Sequence, residues 1–335
     1  MSRFVPAEWA QHQAMWIGFP SHGELWLEHL EAAQAEVAAL ALALAGPGAE
    51  RVKLLVAGPD ALKAAKALIG SMAGIDLVES SFGDVWLRDT GPIWVKHGGE
   101  IRAQGFGFNG WGGKYDLPED HGVAASLAQA SGSPLDTTDF ILEGGSLDHD
   151  GFGNVLTTRQ CLLNANRNRG ITEAAAEAKL ATTLGVKKVL WLDDGLMNDH
   201  TDGHIDNLAR FVAPGVVACP LGYGRADPNT DLYGETARQL MGMTSHDGSA
   251  LQVVRIASPG RVEDADGQAV PASHMNFLIA NKAVIVPLYD DAEAGAHAVE
   301  ALASLFPERK VIGLPSKAVL TGGGSFHCIS QQVPA

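Results

Sequence analysis

Cysteine is scarce in this chain, with three in 335 residues, Cys161, Cys219 and Cys328, widely separated. An odd number at such spacing excludes a disulfide framework and points to a reducing compartment, so the cytoplasm is the expected location. Basic residues are also under-represented: 24 Lys and Arg stand against 39 Asp and Glu, a formal charge of −15. That balance repels nucleic acid and anionic membrane, and it draws small cations. Long hydrophobic runs are missing too. The longest, Val37 to Ala45, is far too short to cross a bilayer. Residues Met1 to Trp9 carry neither the basic nor the apolar region of a secretory leader, so none is expected. No low-complexity tract or linker breaks the composition, so residues 1–335 are expected to form one domain. With 46% hydrophobic residues, that domain can bury a large core.

What is present is a repeating pattern. Trp9 to Pro20 reads as a short strand. Leu25 to Leu44 reads as a helix ending at Gly46-Pro47-Gly48. Arg51 to Ala57 is strand-like, Asp60 is placed to cap a helix running to Leu68, and Ile75 to Glu79 is a further strand. From there an apolar hairpin, a helix and a strand recur. The hairpins are Ile93 to Phe108 around His97-Gly98-Gly99, Phe140 to Thr158 around Asp150-Gly151, Ile205 to Cys219 around Pro214-Gly215, and Met275 to Tyr289 around Asn281-Lys282. The helices that follow begin near Glu119, Thr172, Asn229 and Asp291, a period of ~60 residues. A fifth unit joins Ala318 to Gln332 with the N-terminal segment. Such a period predicts an α/β fold of five radially arranged units.

Each hairpin opens on a polar cluster marked by glycine: Arg88-Asp89-Thr90-Gly91, Glu143-Gly144-Gly145, Asp202-Gly203-His204-Ile205-Asp206, His274, and Gly322-Gly323-Gly324 leading to Cys328. In a radial array these positions converge on the axis, and with them a pocket holding carboxylates, a histidine and a thiol. Alternation along a strand would place His204 and Asp206 on one face. A thiol needs a base or a cationic neighbour to attack at neutral pH, and His204 could serve. Several carboxylates beside a nucleophilic cysteine make sense when the substrate is itself a cation. Asp89 and Asp206 would each accept paired N–H bonds from a planar guanidinium. Glu143 could orient His204, and Trp86 could wall the planar group. The string Asp199-His200-Thr201-Asp202-Gly203-His204-Ile205-Asp206 also holds enough N and O ligands for zinc or iron. It lacks a distant third cluster, so no metal is expected. Cys161 and Cys219 read as structural thiols at apolar strand ends.

With these residues in view the chain resembles the agmatine/peptidyl-arginine deiminase family of guanidino-group modifying enzymes. The likeness rests on Pro6-Ala7-Glu8-Trp9, Trp86 to Pro92, Phe108 to Tyr115, Glu143 to Ser146, Cys161 to Asn164, Gly203 to Asn207, Pro271 to Phe277 and Gly322 to Gln332. The resemblance implies a five-bladed α/β-propeller, the pentein fold, with ββαβ-type repeats around a central site. It implies hydrolysis of a guanidinium to a ureido group and ammonia without a cofactor. Cys328 would be the nucleophile, forming a covalent thiouronium, and His204 the general acid and base. Asp89 and Asp206 would hold the guanidinium with Glu143 in support, and Trp86, Asp199, Asp202 and Gly323 are expected to face substrate. Agmatine is the expected substrate, with free or peptidyl arginine, or an amidinotransferase reaction, as alternatives. The resemblance is compatible with a homodimer. Two departures lie where the far end of a substrate would be read: the chain is short around Pro20 to Trp26, and His200 stands where similar enzymes tend to carry another acid.

Overall fold

The computed structural model describes residues 3–224 and 226–335. Met1 and Ser2, which open the stretch read above for a leader, lie outside the described residues, as does Arg225. Five sheets are present among the described residues, and each follows one plan. An antiparallel pair is followed through a helix by a third strand parallel to the second. In the first, Ile93–His97 and Glu100–Gly107 pair antiparallel, helix Val123–Ala130 crosses over, and Leu135–Ile141 returns parallel. The second sheet uses Asp148–His149, Asn154–Thr158 and Lys188–Leu192. The third uses Arg210–Ala213, Val216–Leu221 and Gln252–Ala257. The fourth uses Leu278–Ile279, Ala283–Leu288 and Lys310–Pro315. The fifth pairs Ser330–Pro334 with His12–Gly18 antiparallel, then adds Val52–Val56 and Ile75–Glu79 in parallel. Strand Arg3–Phe4, not foreseen, extends the first sheet against Ile93–His97.

Local chemistry explains where the crossover helices begin. Thr172 caps Glu173–Leu184 by accepting from Ala175 N, and Asp291 caps Ala292–Leu305 by accepting from Glu293 N and Ala294 N. Asn229 precedes Thr230–Met241, as expected. Elsewhere tertiary contacts override local pattern. The expected helix from Leu25 to Leu44 is broken into Gly23–Trp26, a tight turn Leu27–His29 and Leu30–Ala45. The break, with Leu27 at φ 47°, sets Trp26 against Trp86, with its indole N–H on Asp84 Oδ1 at 2.9 Å. Asp60 is not a cap. Helix Gly58–Ile69 starts at Ala57 with Pro59 in its opening turn, which leaves Asp60 inside that turn. Glu119 lies in a short turn, Pro118–Gly122, ahead of its helix. Phe140 ends the preceding strand instead of opening the second hairpin.

Adjacent sheets share apolar cores. Val95 and Val155 join the first and second, Leu156 and Phe211 the second and third, Ala218 and Val284 the third and fourth. The largest cluster, built on Trp16 and Leu54 of the fifth sheet, reaches Ile285 of the fourth and Trp94 of the first. Every sheet therefore packs on two neighbours in cyclic order. No helix among the described residues is long and apolar enough to cross a membrane.

Candidate active site

The glycine run near the C-terminus is held from behind. Glu36 Oε2, on the long helix Leu30–Ala45, accepts Val319 N at 2.9 Å and fixes the entry to Gly322-Gly323-Gly324. Side chains could not replace these glycines. A Cβ on Gly322 would stand 2.8 Å from both Trp26 and Trp86, and one on Gly324 would stand 2.6 Å from Trp86 and 3.1 Å from Cys328 Sγ. The stacked pair Trp26 and Trp86, centroids 6.1 Å apart, is pinned by Asp84, whose two oxygens accept the two indole N–H groups at 2.9 Å each. The result is an aromatic wall beside a cavity of about 150 Å³, into which Cys328, Asp89, Trp86, Trp111, Tyr115 and His200 face.

Cys328 is buried at the base of this cavity. Its sulfur accepts from Asn276 Nδ2 at 3.1 Å and lies 3.6 Å from Asp206 Oδ2. Burial pushes the thiol well above its ordinary range, and the charges of Asp206 and Asp89 push it further. Both effects favour the neutral thiol over the thiolate.

Around it the expected acids and base assemble about one backbone point. A Cβ on Gly145 would meet His204 Nδ1 at 2.7 Å, Asp89 Oδ1 at 2.9 Å and Asp206 Oδ2 at 3.1 Å. Only a residue without a side chain lets these three groups close in. Asp89 Oδ1 accepts Gly145 N and Oδ2 accepts Trp111 Nε1, both at 2.9 Å. Trp111 is held at φ 53°, ψ 46° in the loop that Asn109 closes on Gly112 N, a conformation a bulky residue adopts only when its surroundings enforce it. Burial pushes the Asp89 carboxyl up, against the pull of His204 and with the help of Asp206 and Glu143.

His204 sits 3.8 Å from Asp89 Oδ2 and 3.9 Å from Glu143 Oε2, and its Nε2 is buried without a hydrogen-bond partner. Burial works against the imidazolium, but Asp89, Cys161 and Glu143 outweigh it and hold the pKa well above the ordinary histidine value. Glu143 is pulled down despite burial by His204 and by Arg167, whose Nε donates to Oε1 at 2.7 Å. Asp206 is also pulled down against burial, by His327 first, then His204 and Arg210. Its Oδ2 accepts His327 Nδ1 at 2.8 Å while Oδ1 is buried without a partner.

The strand that was to aim His204 and Asp206 does not exist at that point. Residues Ile205–Asn207 form a 3₁₀ turn ahead of Arg210–Ala213, and that turn, seated in the core by buried Ile205, carries Asp206 to the sulfur. Asp199 and Asp202, expected to face substrate, do not line the cavity, and neither do Asp206, His204 and Glu143: Asp206 reaches the site through Cys328 Sγ at 3.6 Å, and His204 through Asp89 Oδ2 at 3.8 Å. Asp202 is occupied by Lys114 at 2.6 Å, Arg167 at 2.6 Å and Asn166 at 3.0 Å. Asp199 Oδ1 holds Thr201 N and Oγ1, and its Oδ2 is buried without a partner. Gly323 and Trp86 do line the cavity. His274 lies outside it, bonded to Ala257 O and stacked on Tyr289. Cys161, read as purely structural, stands with Glu143 and His204 so that one ligand atom from each falls within 4.8 Å of the others. The Arg167 guanidinium on Glu143 opposes a metal cation there.

Three groups escaped the sequence reading. Asn276 bonds the sulfur, His327 bonds Asp206, and Arg210 lies behind both. Asn276 stands in the Pro271 to Phe277 motif and His327 precedes the nucleophile candidate, so position alone could have flagged them. Arg210 is fully buried between Glu8 and Asp148 and also donates to Met275 O and Phe277 O. His327 Nε2 reaches Glu8 Oε2 at 3.3 Å, so one imidazole bridges this ion cluster to the acid beside Cys328.

Comparison with known proteins agrees with this architecture. The sequence profile of the Porphyromonas-type peptidyl-arginine deiminases matches residues 4–334, and the chain belongs to that family. A relative from Yersinia pseudotuberculosis that carries an agmatine deiminase name is 35% identical over 99% of this chain and 95% of its own. The agmatine deiminase of Enterococcus faecalis superposes with a TM-score of 0.92 at 32% identity, covering 99% of this chain and 96% of that one. A cysteine-to-serine variant of the C. jejuni agmatine deiminase, solved with substrate bound, superposes at 0.90 with 27% identity over 100% and 97%. The mixed α/β fold is that of these enzymes.

Proposed function

We propose that this chain is an agmatine deiminase, a hydrolase of linear amidines that converts agmatine and water to N-carbamoylputrescine and ammonia. The observation that carries the reading is the meeting of His204, Asp89 and Asp206 around Gly145, with Cys328 Sγ 3.6 Å from Asp206 and with Cys328 and Asp89 facing an aromatic-walled cavity. The guanidinium enters with its N–H groups toward Asp89 and the unpartnered Asp206 Oδ1. Its charge lowers the thiol pKa, the thiol proton passes to water, and the thiolate so formed is the nucleophile, so substrate activates its own attack. The sulfur adds to the guanidinium carbon, His204 delivers a proton to the departing nitrogen, and ammonia leaves. His204, now deprotonated, takes a proton from water as that water adds to the thiouronium carbon. The C–S bond then breaks and the thiol is restored. Glu143 and Arg167 hold the imidazole's surroundings. The same reading makes residues 1–335 a single catalytic domain and closes its five sheets into a five-bladed propeller, supported by the cyclic order of shared cores. It places the enzyme in the cytoplasm, in polyamine metabolism; the three buried, free thiols are in keeping with a reducing compartment.

Steady-state ammonia release on agmatine, arginine and an arginyl peptide, with N-carbamoylputrescine identified by mass, tests the assignment. Agmatine should lead in kcat/KM; equal or faster turnover of arginine or the peptide would overturn it. Ammonia formation without any amine acceptor excludes amidino transfer.

A further inference from the structure

The cavity that Cys328 faces is lined by few acids. Among the described residues lining it, the carboxylates are Asp84 and Asp89. Asp84 has both oxygens engaged by Trp26 and Trp86, and Asp89 stands at the guanidinium end. The outer end is formed by His200, Tyr115, Thr201 and Leu25. His200 Nδ1 stands 3.5 Å from the Tyr115 hydroxyl, the two rings lie 6.0 Å apart, and Tyr115 meets Trp111 edge-on at 6.3 Å. The two ends are one residue apart along the glycine segment: a Cβ on Gly323 would be 3.6 Å from His200 Nδ1, and one on Gly324 would be 3.1 Å from Cys328 Sγ. Sulfur and imidazole therefore face one cavity from neighbouring residues of the glycine segment, a span that a guanidinium with an extended four-carbon tail can bridge. Two acids flank His200 without lining the cavity: Asp202 is held by Lys114 and Arg167, and Asp199 binds Thr201 through Oδ1 with Oδ2 buried; Lys114 also donates to His200 O at 2.7 Å.

We infer that His200, with Tyr115, is the specificity-determining reader of the substrate's far end, and that it reads that end by hydrogen bonding and aromatic contact in place of an ion pair. An imidazole carries no negative charge in either protonation state, so a tail ammonium gains no salt bridge here. The site selects its substrates by the guanidinium head and the length of the tail, and it accepts four-carbon guanidines with uncharged tails. This rests on the deiminase reading above and narrows its substrate class.

The test compares agmatine with N-butylguanidine, the same chain without the amine, on the wild-type enzyme and on His200→Glu, His200→Ala and Tyr115→Phe. The wild type should prefer agmatine by less than ~10-fold in kcat/KM, because an uncharged hydrogen bond at an open lip is worth about that or less. His200→Glu should raise the preference by roughly tenfold, chiefly through a lower KM for agmatine. His200→Ala should bring the two substrates together, and Tyr115→Phe, which keeps the ring and removes the hydroxyl beside His200 Nδ1, should lower the agmatine preference by less than His200→Ala does. A wild-type preference above ~100-fold that His200→Ala leaves unchanged would show that a carboxylate elsewhere reads the tail, and would overturn the inference. Calorimetric binding of both guanidines to Cys328→Ser gives the same ratio without turnover. Absence of ammonia from any guanidine therefore sinks the deiminase reading alone, while the binding ratio still decides the role of His200.

Discussion

Two buried charge clusters lie side by side in this molecule, and they are finished to different degrees. Around Arg210 the guanidinium meets Glu8, Asp148 and two carbonyls, while Glu8 Oε1 accepts Ile279 N and Asp148 Oδ1 accepts Phe211 N, each at 2.7 Å. Around Cys328 the count does not close: Asp206 Oδ1 and His204 Nε2 are buried with no partner, and burial with the nearby acids pushes the thiol pKa up. A buried polar group without a partner costs about 1–3 kcal/mol, so the two beside Cys328 contrast with the closed hydrogen bonding around Arg210. The first cluster is a protein solvating its own guanidinium. On the function proposed above, the second is the same chemistry with the guanidinium supplied by substrate. His327, touching Glu8 and Asp206 at once, ties the completed cluster to the incomplete one.

The comparison can be broken from either side. Cys328→Ser should lower turnover by at least ~10⁴-fold, because a hydroxyl does not ionise in this range and catalytic groups acting as a unit fail together. Its melting temperature and its affinity for agmatine should stay near those of the wild type. A covalent adduct trapped on Cys161 or Cys219 by a haloacetamidine would overturn the role given to Cys328. Arg210→Met strikes the completed cluster and leaves Glu8 and Asp148 charged and unpaired, at a cost of about 3–5 kcal/mol in denaturant unfolding. A loss below about 1 kcal/mol would mean that those acids find other partners. Asp206→Asn strikes the incomplete one. It should lower kcat/KM by an amount equivalent to about 2–5 kcal/mol, while disturbing stability less than Arg210→Met does, since an amide oxygen can still accept from His327. Unchanged kcat/KM would remove Asp206 from substrate binding.

The smallest effect is a rate profile. Burial, Asp206 and Asp89 raise the thiol pKa in the empty site, so the reactive thiolate is the minority form at neutral pH and its fraction grows as pH climbs toward that pKa. Alkylation by neutral iodoacetamide should accordingly be slow near pH 7 and rise by about tenfold per pH unit toward alkaline pH. A cationic haloacetamidine brings the missing positive charge and should react quickly near pH 7. Fast, pH-independent alkylation by both reagents would indicate a standing thiolate–imidazolium pair instead.

How much of this could be read beforehand follows the range of the interactions. The hairpin turns at His97-Gly98-Gly99, Pro214-Gly215 and Asn281-Lys282 and the helix starts at Thr172, Asn229 and Asp291 are set by residues within a few positions, and they were legible. The single helix over Leu25 to Leu44 was misjudged because Trp26 answers to Asp84 and Trp86, far away in sequence. His204 and Asp206 were singled out as a pair, but through a strand that the 3₁₀ turn Ile205–Asn207 replaces. Asp202 looked available because nothing in its own segment announces Lys114 or Arg167. Asn276 and Arg210 act across gaps that local pattern does not span.

The fifth sheet has a further bearing on how this molecule comes into being. Ser330–Pro334 pairs with His12–Gly18, so the strand that anchors the turn carrying Cys328 is completed by residues from the opposite end of the chain. A contact of such sequence separation forms late and reluctantly, because loop closure must precede any gain from pairing. The contacts that place the thiol, Arg88 N on Cys328 O and Sγ beside Asp206, likewise join residues far apart in sequence. Partly folded chains are therefore silent instead of sluggish, and regain of ammonia release during refolding should trail the recovery of helical signal.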